Sequence, residues 1–530
     1  MEKSRLRDLL SDLIGECCKS KHQNKFAKPE IVNFLIRNLS SQDPESVRLA
    51  ARALSNFVYQ NKQNSALIVN TNIVKSLLHA VHDFSDNYEL VRTLFGLILN
   101  VSDENVNFQI QIGGNGGIEL LSSFINTQDE ELRYIVLRAF SSLVESEVNR
   151  LLLAQTSSIQ NILSLIANSS GETQELLCDI FSALAMSKES RDKMVNENFV
   201  VKGWKLFNSN LSKTARKILF RSMSYLSLND IGLETMVKHN IIDSFPSLIK
   251  SKDPEYALGA VIWMCNISRT EEICIKLMEE RIVEDLIKYF DEKNEKFQIL
   301  ILSILRNLAI PIINRKKYLE YPKVVDYLNL LLNNKNPKIQ LLLFSFIRLL
   351  TTLPEIVENF LEKEKINILL KNSLSHELKN VQSSCSITIG NLITSTSSSE
   401  IIKYIISNGG TEVIFQLFAS EHDTIICQGS RILQKISSIP EALKKFIFHD
   451  DFSIDFVTYV LEKNNVEIVK PFCIFLKNCL QSSELFLINF ANSSIISTIQ
   501  QITSNFKLQN NPLPILDEIV VLLQNVGKNN

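Results

Sequence analysis

The strongest pattern of apolar and polar positions lies within Asn294–Leu319, NEKFQILILSILRNLAIPIINRKKYL. Across Phe297–Ile310 nearly every residue is apolar, and beyond Gln298 the polar residues Ser303, Arg306 and Asn307 are spaced i, i+3 and i+4. On a helix this spacing places them in one narrow stripe. A helix that is apolar everywhere else must pack between neighbours, with the stripe facing an open surface.

One helix alone could not bury so much apolar surface, so similar helices are expected on either side. The same pattern does recur along the chain. Pro311 ends the helix that carries Asn307, because proline lacks the backbone N–H that would continue it. Aligned on Asn307, successive copies are separated by 41 to 44 residues, within the range of armadillo and HEAT repeats. The register positions are Asn56, Asn100, Ser142, Ala183, Tyr225, Asn266, Asn307, Leu349, Asn391, Lys435 and Asn478.

Each repeat contains two short helices and one long third helix, which favours armadillo over HEAT. Glycines at Gly113–Gly117 and Gly409–Gly410 mark the turn between the first two helices, where a positive φ is expected. The prediction is an all-α, right-handed superhelical armadillo-repeat solenoid of about eleven to twelve repeats. We expect an N-terminal helical cap over residues 1–30, the solenoid over 31–510 and a C-terminal capping helix over 511–530, because end repeats expose an apolar flank.

Composition narrows the function classes. Apolar residues make up 45% of the chain and charged residues 22%, with a net charge of −2, so a general affinity for nucleic acid is not expected. The first residues, MEKSRLRDLL, are not a signal peptide, and no apolar run approaches the length of a membrane span. Nine scattered cysteines without a C-x-x-C pair predict reduced thiols in a cytoplasmic protein, with the nucleus as a further location.

No constellation of catalytic or metal-binding residues is visible. The seven histidines lack metal-ligand spacing, and GGNGG at Gly113–Gly117 follows no strand and precedes no Lys-Ser/Thr. The sequence therefore predicts a protein that is not an enzyme and that has no cofactor and no metal.

Four segments resemble the smgGDS family, the small-GTPase GDP-dissociation stimulators. Together they extend from Leu258 to His422, and the asparagine-rich composition also resembles that of an amoebal member. The segments are LRNLAIPIINRKKYL (Leu305–Leu319), the longer Leu258–Glu292, NPKIQLLLFSFIRLL (Asn336–Leu350) and IISNGGTEVIFQLFASEH (Ile405–His422).

The resemblance implies an armadillo-repeat protein that binds small GTPases of the Rho, Rac and Rap type. Members of the family stimulate GDP release or escort prenylated GTPases, so a non-covalent regulator with either activity is expected. We further expect a monomer that neither binds nucleic acid nor inserts into a membrane.

Third helices line the concave groove of an armadillo solenoid, so their polar stripes are the candidate binding surface. The amides of Asn266, Asn307 and Asn391 could donate to and accept from a partner's backbone. Alternatively, these asparagines cap local backbone groups. Trp263, one turn before Asn266, is either an exposed anchor for a partner or a core residue.

Arg306 and Arg348 hold adjacent positions in consecutive repeats and could bind a carboxylate or phosphate of a GTPase. A structural ion pair is the alternative. The family resemblance adds Asn314 to the candidate contacts, whereas the adjacent Arg315 and Lys316 are expected to be a solvated face.

Acidic residues concentrate between positions 271 and 292. They could attract the lysine-rich tail of a GTPase, although outer first and second helices are the better-supported location. These residues are Glu271, Glu272, Glu279, Glu280, Glu284, Asp285, Asp291 and Glu292.

Two other functions remain open. A GTPase-binding scaffold without exchange activity would use the same surface. An importin-α-like nuclear import adaptor would need tryptophans one turn before asparagines in several repeats. The chain has only Trp204 and Trp263, and only Trp263 precedes a register asparagine.

Overall fold

A computed structural model of the chain describes residues 2–19, 23–103, 105–156, 158–250, 253–290, 294–509 and 511–527. Throughout these ranges every regular element is a helix, and no strand is present. The chain divides into two compact units, Met1–Ile267 and Ser268–Asn530. We call them the N-terminal and C-terminal units and describe each by itself.

The N-terminal unit is built from helix triplets in which the third helix is the longest. The first triplet begins with a 3₁₀ turn, Gln23–Phe26, and another 3₁₀ turn, Ile241–Ser244, precedes α17. The helices are α1 (Glu2–Cys18), α2 (Pro29–Asn38), α3 (Pro44–Val58), α4 (Lys62–Val69), α5 (Ile73–Asp83), α6 (Tyr88–Ser102), α7 (Val106–Gly114), α8 (Gly117–Phe124), α9 (Glu130–Leu143), α10 (Glu147–Gln155), α11 (Ser158–Asn168), α12 (Gly171–Met186), α13 (Lys188–Asn196), α14 (Phe199–Phe207), α15 (Lys213–Leu226), α16 (Asp230–Lys238), α17 (Phe245–Ile249) and α18 (Pro254–Ile267).

The C-terminal unit repeats the same triplet. Short 3₁₀ turns extend three of its helices, at Ile287–Tyr289, Lys316–Glu320 and Glu358–Phe360. The helices are α19 (Glu271–Glu279), α20 (Ile282–Leu286), α21 (Glu295–Leu308), α22 (Ile312–Arg315), α23 (Pro322–Leu331), α24 (Pro337–Leu350), α25 (Pro354–Val357), α26 (Lys363–Ser375), α27 (Lys379–Ser395), α28 (Ser399–Ile405), α29 (Thr411–Phe418), α30 (Asp423–Ile436), α31 (Pro440–Ile447), α32 (Ile454–Leu461), α33 (Val466–Ser482), α34 (Glu484–Ala491), α35 (Ile495–Leu508) and α36 (Pro514–Gly527).

Many third helices begin at a side chain that caps their first turn. Asp43 before α3, for example, accepts a hydrogen bond from the backbone N–H of Ser46, and Asn294 before α21 accepts one from Lys296. Such caps stabilise a helix start by about 1 kcal/mol. Equivalent caps are formed by Asn87, Asp129, Asn336 and Asn465.

Within each unit, successive third helices pack against one another in chain order. In α21, Leu302, Leu305 and Leu308 are fully buried, while the stripe of Ser303, Arg306 and Asn307 remains partly exposed. The armadillo-type, all-helical fold and the open stripe predicted from the sequence are therefore confirmed.

The glycine-rich turns have the predicted backbone geometry. Gly116, between α7 and α8, has a φ of +84°, and Gly409, between α28 and α29, has a φ of +106°. Residues with a side chain rarely adopt these angles. Glycine therefore allows the first two helices of these repeats to meet at a sharp corner.

Helices form both ends of the described chain. Helix α1 packs on α3 in the position of a third helix. At the other end, α34 and α35 both pack against α36. The bounds given to the solenoid and its two caps stay predictions.

Candidate partner-binding surfaces

The six register asparagines lie half-buried at the seams between repeats. In each of them the side-chain Nδ2 donates a hydrogen bond to a residue about one repeat earlier in the chain. These bonds join Asn56 to Gly15 O (3.0 Å), Asn100 to Ser55 Oγ (2.7 Å), Asn266 to Ser224 O (3.1 Å), Asn307 to Ser268 Oγ (3.4 Å), Asn391 to Thr351 Oγ1 (3.1 Å) and Asn478 to Ser437 Oγ (2.8 Å).

These bonds correct the expectation that Asn266, Asn307 and Asn391 offer free amide donors to a partner. Their donors tie consecutive layers together instead. The acceptor of Asn391 is also occupied, since Gln428 Nε2 donates to its Oδ1 at 2.7 Å. The asparagine register is thus primarily a structural device, in agreement with the alternative that the sequence left open.

Trp263 is not an exposed anchor. Its side chain is fully buried in the N-terminal unit, where its ring centroid lies 5.1 Å from that of Phe220 and 6.2 Å from that of Trp204. The indole is therefore a core residue of α18, and its assignment to a partner contact is wrong.

Asn314 is also fully buried, which corrects its assignment to a partner contact. Its Nδ2 donates to Leu308 O at 2.9 Å and to Cys274 O at 3.0 Å. Because the last carbonyls of a helix have no partner within the helix, Asn314 serves as a cap for the C-terminal end of α21.

Three arginines lie close together on the C-terminal unit, and we call them the arginine trio. Arg306 and Arg348 occupy the last turns of α21 and α24, and Arg315 follows in α22. Burial, together with the positive charges of Arg306 and Arg315, lowers the pKa of the Arg348 guanidinium. A guanidinium nevertheless stays protonated in proteins, so the trio concentrates positive charge.

No carboxylate of the described residues pairs with the arginine trio. Arg306 Nη1 donates only to the neutral Oδ1 of Asn307, at 3.0 Å. The Nε atoms of Arg306 and Arg348 are buried without an acceptor. Helix C-termini offset part of the charge, but the structural ion pair considered from the sequence is not present in this part of the chain.

Arg315 differs from the solvated cation expected from the sequence. It is half-buried, and its Nε and Nη2 donate to the carbonyls of Ala309 and Ile310 at 3.0 and 3.1 Å. Its Nη1 reaches Thr352 Oγ1 at 3.1 Å, on the following repeat. Lys316, by contrast, is exposed as expected.

Exposed isoleucines stand in the same segment of the chain as Arg306 and Arg315 of the arginine trio. Ile310, Ile312 and Ile313, which surround Pro311, are 46%, 76% and 63% exposed, and we call them the isoleucine ridge. Single exposed apolar residues are normal, whereas a contiguous group marks an interaction surface. Sequence reasoning missed this ridge, although IPII directly follows the stripe of α21.

Most of the acidic residues between positions 271 and 292 lie on the short helices α19 and α20, as the sequence favoured. Glu271 and Glu280 are among the exposed ones. Asp285 is buried and forms an ion pair with Lys288, at 2.7 Å, so its carboxylate is not available to a partner. Asp291 and Glu292 lie outside the described residues.

The N-terminal unit presents a different surface, an apolar cavity of about 400 Å³ between α15 and α18. Ile218 and Tyr225 of α15 line it, together with Leu258 and Ile262 of α18 and the cations Lys217 and Arg221 of α15. Leu258 and Ile262 are both more than one third exposed. The cavity could accommodate an apolar group of a partner.

Acidic residues lie on the preceding third helix, α12. Asp179 forms a 3.6 Å ion pair with Arg221, and Glu175 accepts a 3.0 Å hydrogen bond from Ser212 Oγ. Burial raises the pKa of the Asp179 carboxyl; Arg221 opposes this shift and Glu175 adds to it. A partner's cation would therefore stabilise the charged carboxylate.

Other kinds of chemistry find no support on the described residues. They contain no group of three or more His, Cys, Asp or Glu placed to hold a metal ion. None of their helices alone has the length and apolar composition to cross a membrane, and the one pair that has both, Glu295–Leu308 with Ile312–Glu320, is bent by 116°.

The chain is similar in sequence to proteins that regulate GTPases. It is 25% identical over 410 residues to Rap1 GTPase-GDP dissociation stimulator 1-A of Xenopus laevis, and the alignment covers 73% of this chain and 68% of that protein. Stimulator 1-B of the same organism is 24% identical, covering 74% and 68%. The GTPase-GDP dissociation stimulator vimar of Drosophila melanogaster is 22% identical, covering 60% and 54%. The resemblance to GDP-dissociation stimulators is confirmed, although no family model matches the chain.

Solved structures support the fold. A structure from work on the interaction of cadherin with β-catenin has a TM-score of 0.66 at 10% identity, covering 89% of this chain and 96% of that one. A crystal structure of an engineered protein has a TM-score of 0.65 at 20% identity, covering 76% and 98%. At these identities the likeness concerns architecture only.

Proposed function

We propose that the chain binds small GTPases of the Rho, Rac and Rap type through the arginine trio and the isoleucine ridge, and that it stimulates GDP release. The observation that carries the proposal is the set of three guanidinium groups, unpaired with any carboxylate of the described residues, next to exposed isoleucines. This surface lies in two of the segments that resemble the family, Leu305–Leu319 and Asn336–Leu350, and the similar proteins are named GDP dissociation stimulators.

The surface has the chemistry of a protein-binding site. Guanidinium groups bind carboxylates through two parallel hydrogen bonds, and buried arginines next to apolar residues are common hot spots of interfaces. An acidic and apolar surface of the GTPase, as in its switch region, therefore complements the trio and the ridge. A lysine-rich tail would be repelled there.

Stimulation of GDP release requires no covalent chemistry. A protein that binds the nucleotide-free GTPase more tightly than the GDP-bound form must weaken GDP binding by the same factor. A difference of about 4 kcal/mol would weaken GDP binding roughly a thousandfold. The trio contributes to this difference if the nucleotide-free GTPase presents its acidic groups to the arginines more favourably.

The test is single-turnover release of a fluorescent GDP analogue from Rho, Rac and Rap proteins at rising concentration of the chain. We expect the release rate to rise and to saturate. Arg306→Glu with Arg348→Glu should abolish both the rise and the binding. Lys323→Glu, an exposed reversal on the second helix α23, is the matched control and should leave both unchanged.

A second activity, the escort of prenylated GTPases, is favoured by the cavity between α15 and α18. Its mainly apolar lining suits a prenyl chain. Asp179 and Glu175 of α12, which bind Arg221 and Ser212, could exchange these bonds for a lysine of the tail that precedes such a chain. If the chain binds a GTPase without changing the rate of GDP release, its function is the escort of prenylated GTPases or that of a scaffold. A nuclear import adaptor is not proposed, since Trp263 is buried.

A further inference from the structure

The cavity between α15 and α18 is lined by two kinds of side chain. Leu258 and Ile262 of α18 form an apolar wall. Lys217 and Arg221, which are spaced i, i+4 and therefore lie on one face of a helix, add cations on the side of α15. A hydrocarbon chain alone would contact only the apolar wall. The lining as a whole suits a molecule that carries an anion beside an apolar chain.

Lys217 is held by the protein itself. Its Nζ lies 3.2 Å from a carboxylate oxygen of Asp253, which Lys213 also approaches, at 2.9 Å. The side chains of Lys217 and Asp253 are 25% and 16% exposed, so their ion pair is partly shielded from water. The charge of Lys217 is therefore already neutralised within the N-terminal unit.

Arg221 is held less firmly. Its side chain is 57% exposed, and its ion pair with Asp179 spans 3.6 Å, whereas a charge-assisted hydrogen bond measures about 2.7–2.9 Å. Burial raises the pKa of the Asp179 carboxyl although Arg221 opposes this shift, so the arginine only partly stabilises the charged carboxylate. A guanidinium has five N–H donors and can bind a second carboxylate through two of them.

The ion pair of Arg221 with Asp179 limits which molecules fit the cavity. An anion that binds Arg221 also comes close to the carboxylate of Asp179 and is repelled by it. Glu175, on the same helix α12, adds a second negative charge beside Asp179. The charges therefore match an occupant in which an anion, a cation and an apolar chain lie close together.

A polypeptide that ends in an S-prenylated cysteine combines these three groups. When the prenylated cysteine is the last residue, its own α-carboxylate stands beside the apolar chain. Basic residues usually precede a prenylated cysteine, and they supply the cation. A free fatty acid has the apolar chain and the carboxylate but no cation to offset the carboxylates of α12, so it matches the site less well.

We propose that Arg221 binds the free α-carboxylate of a C-terminal S-prenylcysteine whose prenyl chain lies in the cavity, while a lysine of the same tail replaces Arg221 at Asp179. This inference rests on the proposed escort of prenylated GTPases. It adds a preference that the escort alone does not require, namely for the free acid over its methyl ester. Methyl esterification removes the negative charge of the carboxylate and therefore weakens binding.

The test uses the full chain and two synthetic peptides of one lysine-rich sequence, each with a fluorescent label at the N-terminus and S-geranylgeranyl-cysteine as the last residue. One peptide ends in the free carboxylate and the other in its methyl ester. Fluorescence anisotropy should show that the acid binds about tenfold more tightly or more, because the ester loses a charge-assisted hydrogen bond. In Arg221→Gln this preference should disappear, while affinity for the ester should not fall.

The matched control is Arg431→Gln. Arg431 of α30 stands four residues before its register position, as Arg221 does, and its side chain is likewise 57% exposed and paired with a carboxylate, that of Glu467. This variant should keep the preference for the acid. Helical content and Tm should match the parent in both variants, since both side chains are exposed. A preference that persists in Arg221→Gln would assign the carboxylate to another group and refute the proposal.

Failure of this inference can be distinguished from failure of the escort itself. If the parent chain binds acid and ester equally, the role of Arg221 is wrong and the escort of prenylated GTPases stands. If neither peptide binds, the escort is wrong as well. Palmitate is the third probe, and it should displace the acid peptide only weakly. Displacement as strong as that by unlabelled acid peptide would identify a fatty acid as the occupant and overturn the proposal.

Discussion

The surface around the arginine trio and the surface around the α15–α18 cavity are built on the same scaffold but differ in shape and in how their cations are paired. In each, a third helix carries an asparagine that donates to the preceding layer, Asn307 in one and Asn266 in the other. One surface presents exposed isoleucines beside arginines that pair with no carboxylate of the described residues. The other is a concave, mainly apolar cavity, and its cations Lys217 and Arg221 pair with Asp253 and Asp179.

This difference does not come from overall charge. Each unit has 28 basic and 29 acidic residues, so its net charge is −1. The contrast arises from whether the cations of the third helices pair with a carboxylate, as on α15, or do not, as in the arginine trio. Partner recognition in such a protein therefore depends on residues that differ from one repeat to the next. The residues that recur in many repeats hold the layers together.

The largest effect should follow reversal of charge in the trio. Arg306→Glu with Arg348→Glu should weaken GTPase binding by at least about a hundredfold, because it replaces attraction with repulsion at a partly desolvated site. Isothermal titration calorimetry with unprenylated and prenylated GTPase measures it. Equal affinity in the variant and in Lys323→Glu would show that the trio is not the GTPase surface.

A smaller and selective effect should follow from the cavity. Ile262→Glu places a charge in the apolar lining and should weaken binding of prenylated GTPase by about tenfold or more, while unprenylated GTPase binds as before. Leu330→Glu, at an exposed leucine of α23, is the control. A loss that is equal for both GTPase forms would show that the cavity does not hold the prenyl group.

Substitution of the register asparagines should distinguish an effect on stability from an effect on GTPase binding. Asn307→Ala and Asn100→Ala each remove one bond to the previous layer and should cost about 1 kcal/mol of unfolding free energy, measured by urea titration. Only Asn307→Ala should also weaken GTPase binding, by up to about tenfold, because Arg306 loses its acceptor. Full affinity in Asn307→Ala would mean that this acceptor does not position Arg306.

The smallest effect is a pH dependence at Asp179. Its pKa is raised above the ordinary 3.8, and a bound cation would lower it again, so binding of a lysine-rich peptide releases a proton. Affinity should therefore fall a few-fold as the pH drops through the raised pKa. Fluorescence anisotropy at several pH values measures the slope, and Asp179→Asn should flatten it. A slope that persists in this variant would assign the effect to another group.

The fold was largely predictable, since a period of 41 to 44 residues and one polar stripe per long helix are local properties of the chain. The asparagine donors were harder to interpret, because their acceptors lie 39 to 45 residues away. For the same reason the sequence leaves open whether Trp263 is exposed or in the core. Its burial depends on Phe220 and Trp204, which belong to other helices.

One misassignment had a detectable signal. Asn314 binds the carbonyl six residues before it, and Asn149 and Arg191 in other first helices make the same bond to Leu143 and Ala185. Polar residues one turn into a first helix therefore recur as caps of the helix before. Arg315 could not be placed in this way alone, since its contact with Thr352 crosses to the next repeat.

The amide bonds across the seams have a consequence for how such a chain can change its length. At six of the eleven register positions an asparagine donates to a hydroxyl or carbonyl of the layer before it, so these junctions are chemically alike. Duplication of a layer that carries both groups, such as Asn56 with Ser55, would leave each donor facing an acceptor. A lineage could therefore gain or shed entire layers without redesigning the junction, while an insertion of half a layer would leave amides unmatched at two junctions.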